Sequence, residues 1–284
     1  MSGTLFVCAT PIGNLGDMTE RVRETLSAVD LIAAEDTRNS LKLVNHFDIH
    51  TPLTSYHEYN KYEKAEELVS ILLSGKDVAL ITDAGTPAIS DPGEVLIRRC
   101  AEEGIPMTSL PGPSAVITAL TLSGLGTERF CFEGFLPREN KLRKERLAEL
   151  KEEKRTIVLY EAPHHLQESL KELCNTLGDR KISICRELTK KHEEILRLTL
   201  TEAVSYFDEN RPRGEFVLVI EGKSPEEVKR EKAEEYAGMS VREHVGQYEA
   251  LGHDRKSAMK LAAADRGVSK RDIYNELLKE QSSD

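Results

Sequence analysis

The apolar run Asp77-Val78-Ala79-Leu80-Ile81-Thr82 empties directly into Asp83-Ala84-Gly85-Thr86-Pro87-Ala88-Ile89-Ser90-Asp91-Pro92-Gly93. A short continuous apolar run bounded by turn residues reads as a strand buried on both faces. The eleven residues that follow it are more than a plain connection needs, and loops of that length are usually functional. Small residues let a bound molecule approach the backbone, Pro87 and Pro92 stiffen the path, and in open α/β sheets ligands sit beyond the carboxyl ends of strands. The segment predicts an α/β fold with a ligand loop at 83–93.

The flanking chain repeats this rhythm. Leu5-Phe6-Val7-Cys8-Ala9 is a short apolar strand that breaks at Thr10-Pro11-Ile12-Gly13-Asn14-Leu15-Gly16-Asp17, and 18–29 has helical spacing. A strand at 30–34 runs into Glu35-Asp36-Thr37-Arg38, followed by a helix through Leu41 and Val44 and another at 63–73. Beyond the long loop, 94–103 is helical and stops at Gly104, a strand occupies 106–110, and Pro111-Gly112-Pro113-Ser114 opens a helix at 115–122. Alternating elements of this kind indicate a mostly parallel sheet covered on both faces. The expected first domain is 1–112.

A second α/β domain with a mixed sheet is expected at 113–222, with strands at 130–133, 156–160, 181–186, 195–200 and 215–221 and a charged helix within 138–155. After Gly222 the composition shifts to Ser224-Pro225-Glu226-Glu227 and a Lys/Glu-rich linker that few contacts should cross. The third unit, within 223–284, is a small helical domain. Ser240-Val241-Arg242-Glu243 and Ser269-Lys270-Arg271-Asp272 match the capping-box pattern, and Gly252 and Gly267 sit where helices stop. Its last two helices, near 255–266 and 270–279, have helix-turn-helix proportions, with Lys256, Lys260, Arg266, Lys270 and Arg271 as phosphate-contact candidates. A packing or interaction module is the competing reading of this tail.

Several classes are disfavoured. A net charge of -10 opposes indiscriminate binding to nucleic acid or anionic membranes, so any RNA contact must be focused. The five cysteines are scattered without a C-x-x-C pair, which suits reduced core thiols in the cytoplasm. No basic-then-apolar leader opens the chain, no run is long enough to span a bilayer, and the expected location is cytoplasmic. Neither G-x-G-x-x-G nor a P-loop is present, and His164-His165 and His192-Glu193-Glu194 lack the spacing of helical zinc ligands, so no metal is expected.

Taken together, ATPIGNLGD at 9–17, AEDTR at 34–38, DAGTPAISDPG at 83–93, LPGPSA at 110–115, GFLP at 134–137, YEAPH at 160–164, RELTK at 186–190 and GEFVLVIEG at 214–222 resemble the ribosomal RNA small-subunit methyltransferase I family of the tetrapyrrole-methylase-like superfamily. The resemblance covers about 4–222, and the helical tail is also similar to that family's small C-terminal domain. One position departs: His165 stands where the family usually carries Arg.

The resemblance implies a two-domain class III methyltransferase fold with S-adenosylmethionine in the interdomain cleft and a cytidine 2′-oxygen in the decoding centre of 16S rRNA as acceptor. It implies a homodimer as well. Pro11, Asp83, Gly85, Thr86 and Ile89 would line the donor site, Pro113 and Ser114 would close it, and Tyr160, Ala162, Pro163, Leu188 and Glu215 would come from the second domain. A sulfonium methyl is already activated, so alignment of the 2′-oxygen is the main catalytic contribution and base catalysis a smaller one. Candidates near strand ends are Asp36, Arg38, His57, Glu58, Arg186, Glu187 and Lys190. Asp36 with Arg38 also reads as an internal ion pair, and His57 as a surface-loop residue. Two other functions fit the same residues: a tetrapyrrole methylase, and a non-catalytic RNA-binding assembly factor.

Overall fold

The computed structural model describes residues 2–282. The first sheet comprises β1 (Leu5–Cys8), β2 (Leu31–Ala34), β3 (Leu53–Ser55), β4 (Val78–Ile81) and β5 (Met107–Leu110). Its order is β3-β2-β4-β1-β5 and every pairing is parallel. All four residues of β4 are buried because the strand is flanked by β2 and β1 and covered above and below. The period of two divides its side chains between layers. Val78 and Leu80 join Leu5 and Val7 beneath α3 (Lys61–Leu73) and α4 (Gly93–Glu102), while Ala79 and Ile81 join Cys8 and Ile32 beneath α1 (Glu20–Ala28) and α2 (Thr37–His46). The short edge strand β3 escapes a pattern reading, since three half-buried residues after Pro52 carry no measurable period.

The second sheet has the order β6-β7-β10-β8-β9, built from β6 (Phe130–Phe135), β7 (Thr156–Glu161), β8 (Lys181–Arg186), β9 (Glu194–Thr199) and β10 (Phe216–Ile220). Only β6 and β7 run parallel; β10 is antiparallel to β7 and β8, and β9 to β8. One face packs on α6 (Asn140–Glu152), α7 (Leu166–Leu177) and α8 (Leu200–Glu209) through residues such as Leu159, Ile184 and Leu218. The other face receives α5 (Ala115–Ser123), whose Val116, Ala119 and Leu120 meet Val158, Cys185, Val217 and Val219. Ile12, from the loop after β1, lies in this same cluster and joins the two sheets.

The expected linker is largely α9 (Pro225–Glu235), capped by a reciprocal Ser224–Glu227 box with Pro225 in its first turn. It is tied to the second sheet's helices instead of being bare of contacts. Lys223 is 5% exposed, its ammonium pairs with Glu152 at 2.8 Å and with Glu231, and Arg180 lies 3.8 Å from Glu227. Charge composition suggested a solvated tether; the ion pairs reach across to the body instead.

The tail consists of α10 (Val241–Ala250), α11 (Arg255–Asp265) and α12 (Lys270–Ser282), packed around Val245, Ala258, Ala262, Ile273 and Leu277. The Ser240–Glu243 box forms, Ser269 and Asp272 bond reciprocally, and Gly252 and Gly267 take φ of 92° and 65° after their helices. Arg266 is half-buried and engaged within the tail: it donates to His244 Nδ1 at 3.1 Å and to the Met239 and Ser240 carbonyls. No helix among the described residues is long and apolar enough to cross a membrane.

Candidate active site

Parallel pairing brings every carboxyl end of the first sheet to one edge, and the loops there are knit by backbone bonds. Gly85 N–H donates to the Thr10 carbonyl at 3.0 Å and its own carbonyl accepts from Thr10 N–H at 2.9 Å. Thr86 Oγ1 donates to the Pro113 carbonyl at 3.0 Å, and Thr82 Oγ1 to Glu35 Oε2 at 2.6 Å. Asp91 closes the long loop by accepting from the Ala88 and Gly93 N–H groups at 2.9 and 2.7 Å. Gly85 has φ 85°, and Ala88 and Ser90 both have φ 68°. Left-handed backbone at non-glycine residues costs about 1–3 kcal/mol each and persists where the surroundings enforce it, often at ligand sites.

Facing this edge are the carboxyl ends of β7 and β8 and the amino end of β10, brought level because Phe216 pairs with both Glu161 and Arg186. Here too the backbone is strained, with φ of 51° at Glu187 and 65° at Thr189. Lys190 Nζ bonds Glu187 at 3.0 Å and Glu215 at 2.8 Å. Gly13 seats the first domain against this loop: a Cβ there would fall 2.4 Å from Lys190 Cγ.

Between the two edges lies a cleft of about 450 Å³, within the range of small-molecule sites. Ten of the residues expected at a donor site line it: Asp83, Gly85, Thr86, Ile89, Ser114, Tyr160, Ala162, Pro163, Leu188 and Glu215. Two do not. Pro11 lines an adjoining groove, and Pro113 contributes the carbonyl that holds Thr86. Sequence reasoning missed Ile12, Glu35, Thr82, Ser90, Asp91, Phe135, Glu161, Cys185, Phe216 and Val217 among others. Ser90 and Asp91 lay within the loop already singled out. Phe216 and Val217 follow Glu215 but arrive by strand register, for which no local motif exists.

The catalytic candidates stand around the cleft and not in its lining. Asp36 caps α2 and pairs with Arg38 at 2.7 Å; that hydrogen bond holds its carboxyl down at about 2. Its backbone N–H reaches Asp83 Oδ1 at 3.2 Å. His57 is half-buried after β3, its N–H bonded to Asn60 Oδ1 at 2.8 Å and its Nδ1 buried without a partner. Arg186 leans toward Glu194 at 3.4 Å, away from the cleft's carboxylates. His165, the departing residue, precedes α7 with its ring 4.2 Å from that of His164.

The lining has a consistent chemistry. Ile12, Ile89, Phe135, Leu188 and Val217 give apolar walls, while Glu35, Asp83, Asp91, Glu161 and Glu215 give carboxylates, with no Lys, Arg or His among the described lining residues. Burial pushes the Asp83 and Asp91 carboxyls above their ordinary range and the Tyr160 hydroxyl above its own. At one end Ser114 precedes α5 with no side-chain cap, and Ser114 and Ala115 line the cleft at that open helix start. The site suits a cation with an apolar ring system and an anionic end group.

An α/β body whose two five-stranded sheets face one another across a cleft is a fold seen in solved methyltransferases. Diphthine synthase aligns with a TM-score of 0.61 at 14% identity, over 78% of this chain and 91% of that one. Cobalt precorrin-4 methyltransferase aligns at 0.57 and 18% identity, over 77% and 94%; both likenesses concern the fold alone. Residues 4–204 match the model of the tetrapyrrole (corrin/porphyrin) methylases. At the level of sequence, the ribosomal RNA small subunit methyltransferase I of Halalkalibacterium halodurans is 51% identical over 96% of this chain and 94% of that protein. Those of Bacillus subtilis and Escherichia coli O157:H7 are 46% and 43% identical, over 93% and 96% of their lengths. The chain belongs to the tetrapyrrole methylase family, and within it to the ribosomal RNA small subunit methyltransferase I group.

Proposed function

We propose that the chain moves the methyl group of S-adenosylmethionine to the ribose 2′-oxygen of a cytidine in the decoding centre of 16S rRNA. The observation that carries this reading is the carboxylate-rich, cation-free cleft between the sheets of a chain whose relatives bear the rRNA methyltransferase name. The donor, when bound, supplies a methyl carbon already activated by positive sulfur. The residues fit it: the cleft walls take the adenine, carboxylates such as Asp83 and Glu215 face the cationic centre and sugar hydroxyls, and the open start of α5 suits its carboxylate. Gly85 keeps the loop backbone accessible, since a side chain there would meet Ile12 Cγ2.

Most of the remaining work is positioning. The Glu187–Lys190–Glu215 pairs fix the second wall and the Asp36–Arg38 pair fixes the start of α2 beside Asp83. His57, just after β3, and Arg186, the last residue of β8, are candidate contacts to the RNA. In the tail, Lys256, Lys260 and Arg271 are exposed and Lys270 half-exposed, which supports a phosphate-docking surface. A homodimer in the cytoplasm is part of the same proposal.

The test is incubation with methyl-labelled donor and either deproteinised 16S rRNA or small subunits lacking the modification, followed by mapping of the labelled ribose. Label on a cytidine 2′-oxygen is expected. Label on a base, or donor binding without transfer, overturns the assignment. Sedimentation checks the dimer.

A further inference from the structure

A second groove, of about 310 Å³, opens beside the donor cleft and shares Thr82 and Asp83 with it. Its far wall is one side of α2, where Asn39, Lys42 and His46 recur at three- and four-residue intervals; Gly13 lies opposite. At 1.5 Å per residue, this line carries Lys42 and His46 progressively away from Asp83.

Charge reverses along it. The donor cleft presents five carboxylates and no basic group among the described residues, so it repels a phosphodiester. The groove instead ends in Lys42 and His46. Both are exposed; the Lys42 ammonium makes no hydrogen bond or ion pair among the described residues, and the His46 ring meets Phe47 at 4.8 Å. An RNA strand entering toward the donor meets the exposed Lys42 ammonium and the His46 ring there.

Asp83 stands at the junction. Its Oδ1 accepts the Asp36 N–H at 3.2 Å and its Oδ2 faces Asn39 Nδ2 at 3.4 Å, which orients the carboxylate and leaves lone pairs for a third partner. The side chain is exposed, yet partial loss of water around it and the nearby Glu35 and Asp36 charges hold its carboxyl above the usual range, against the pull of Asn39.

We propose that this groove holds the acceptor ribose and its phosphate, with Asp83 taking the 2′-hydroxyl proton and Lys42 and His46 pairing the phosphate. The inference rests on the rRNA methyl transfer proposed above. In the step, the 2′-oxygen bonds to the methyl carbon as the carbon–sulfur bond breaks. Sulfur keeps that electron pair and becomes a neutral thioether. The hydroxyl proton passes to the Asp83 carboxylate and from there to water.

Asp83→Asn, Lys42→Ala and His46→Ala in the full chain test it, read by calorimetry with S-adenosylmethionine, single-turnover methylation of small subunits, KM and thermal melting. With donor saturating, Asp83→Asn should lose roughly 10²-fold or more in single-turnover rate, beyond whatever donor affinity it loses at the shared wall. It should also lose the acid limb of the pH–rate profile; Glu35, Asp36 and Arg38 face the same carboxyl, and their own substitution should shift that limb without removing it. Lys42→Ala should raise KM on the order of tenfold, leave donor affinity unchanged and reduce the salt slope by about 0.7 log units. His46→Ala should do the same more weakly. An unchanged single-turnover rate at saturating donor in Asp83→Asn, or an unchanged KM and salt slope in Lys42→Ala, overturns the groove assignment. Wild-type protein that methylates rRNA while these variants match it defeats the groove alone; wild type that transfers no methyl to rRNA defeats both readings.

Discussion

The two walls of the cleft come from sheets of opposite habit. On the first wall all strands are parallel, so the segments after β1, β2, β4 and β5 open on one edge and hold one another through Thr10, Glu35, Gly85, Thr86 and Pro113. On the second wall the sheet is mixed, and the edge facing the cleft combines the carboxyl ends of β7 and β8 with the amino end of β10. Both walls end in strained backbone, at Ala88 and Ser90 on one side and Glu187 and Thr189 on the other. A parallel sheet concentrates function in the loops after its strands, whereas a mixed sheet delivers it through register.

Substitutions on each wall, ranked by their expected effect on donor affinity, can break this comparison. Gly85→Val should act most strongly, lowering affinity by about 10²-fold or more, as a branched side chain at φ 85° crowds Ile12 and the bound ligand. The accompanying left-handed strain of about 1–2 kcal/mol should leave the protein folded with a reduced melting temperature. Unchanged affinity in a folded variant would remove the first wall from the site. Ala162→Phe fills the cleft from the opposite side and should weaken binding by about tenfold; if only the Gly85 variant responds, the donor rests on one wall.

The tail should not move donor affinity at all. Reversing charge at Lys256, Lys260, Lys270 and Arg271 should weaken RNA use and flatten its salt dependence by about 0.7–0.9 log units for each phosphate that is no longer neutralised. An unchanged slope makes the tail a packing unit.

The smallest effect concerns the tail's own stability. His244 is 1% exposed, stacked 3.8 Å from the Tyr236 ring, and accepts from Arg266; burial and that guanidinium lower its pKa. The fold therefore favours neutral His244, so its contribution is complete above about 6.5, the unfolded value, and is lost as pH falls through the depressed folded value. Amide protection factors in α10–α12 should fall between pH 7.5 and 5 more than in the two sheets; an equal fall would show that His244 does not set the difference.

The first wall was the more legible in sequence. The run ending at Thr82 and the turn-rich loop after it marked the ligand edge, and the capping boxes at Ser240 and Ser269 fixed tail helices. Elsewhere the determining contacts were long-range. Phe216, Val217 and Cys185 reach the cleft by register, β3 is too short for a period, and α9 looks like a charged tether until Lys223 meets Glu152. The catalytic candidates are charged residues near strand ends, and the fold ties Asp36 to Arg38 beside the cleft and Lys190 to Glu187 and to the cleft-lining Glu215.

The central claim is that one donor molecule is gripped by both walls at once. Hydrogen exchange of the full chain with and without S-adenosylmethionine tests it most directly. Saturating donor should slow exchange together at 83–93, at 160–163 and at 215–217, leaving α11 and α12 unchanged. Protection confined to 83–93, or appearing only in the tail, would contradict it.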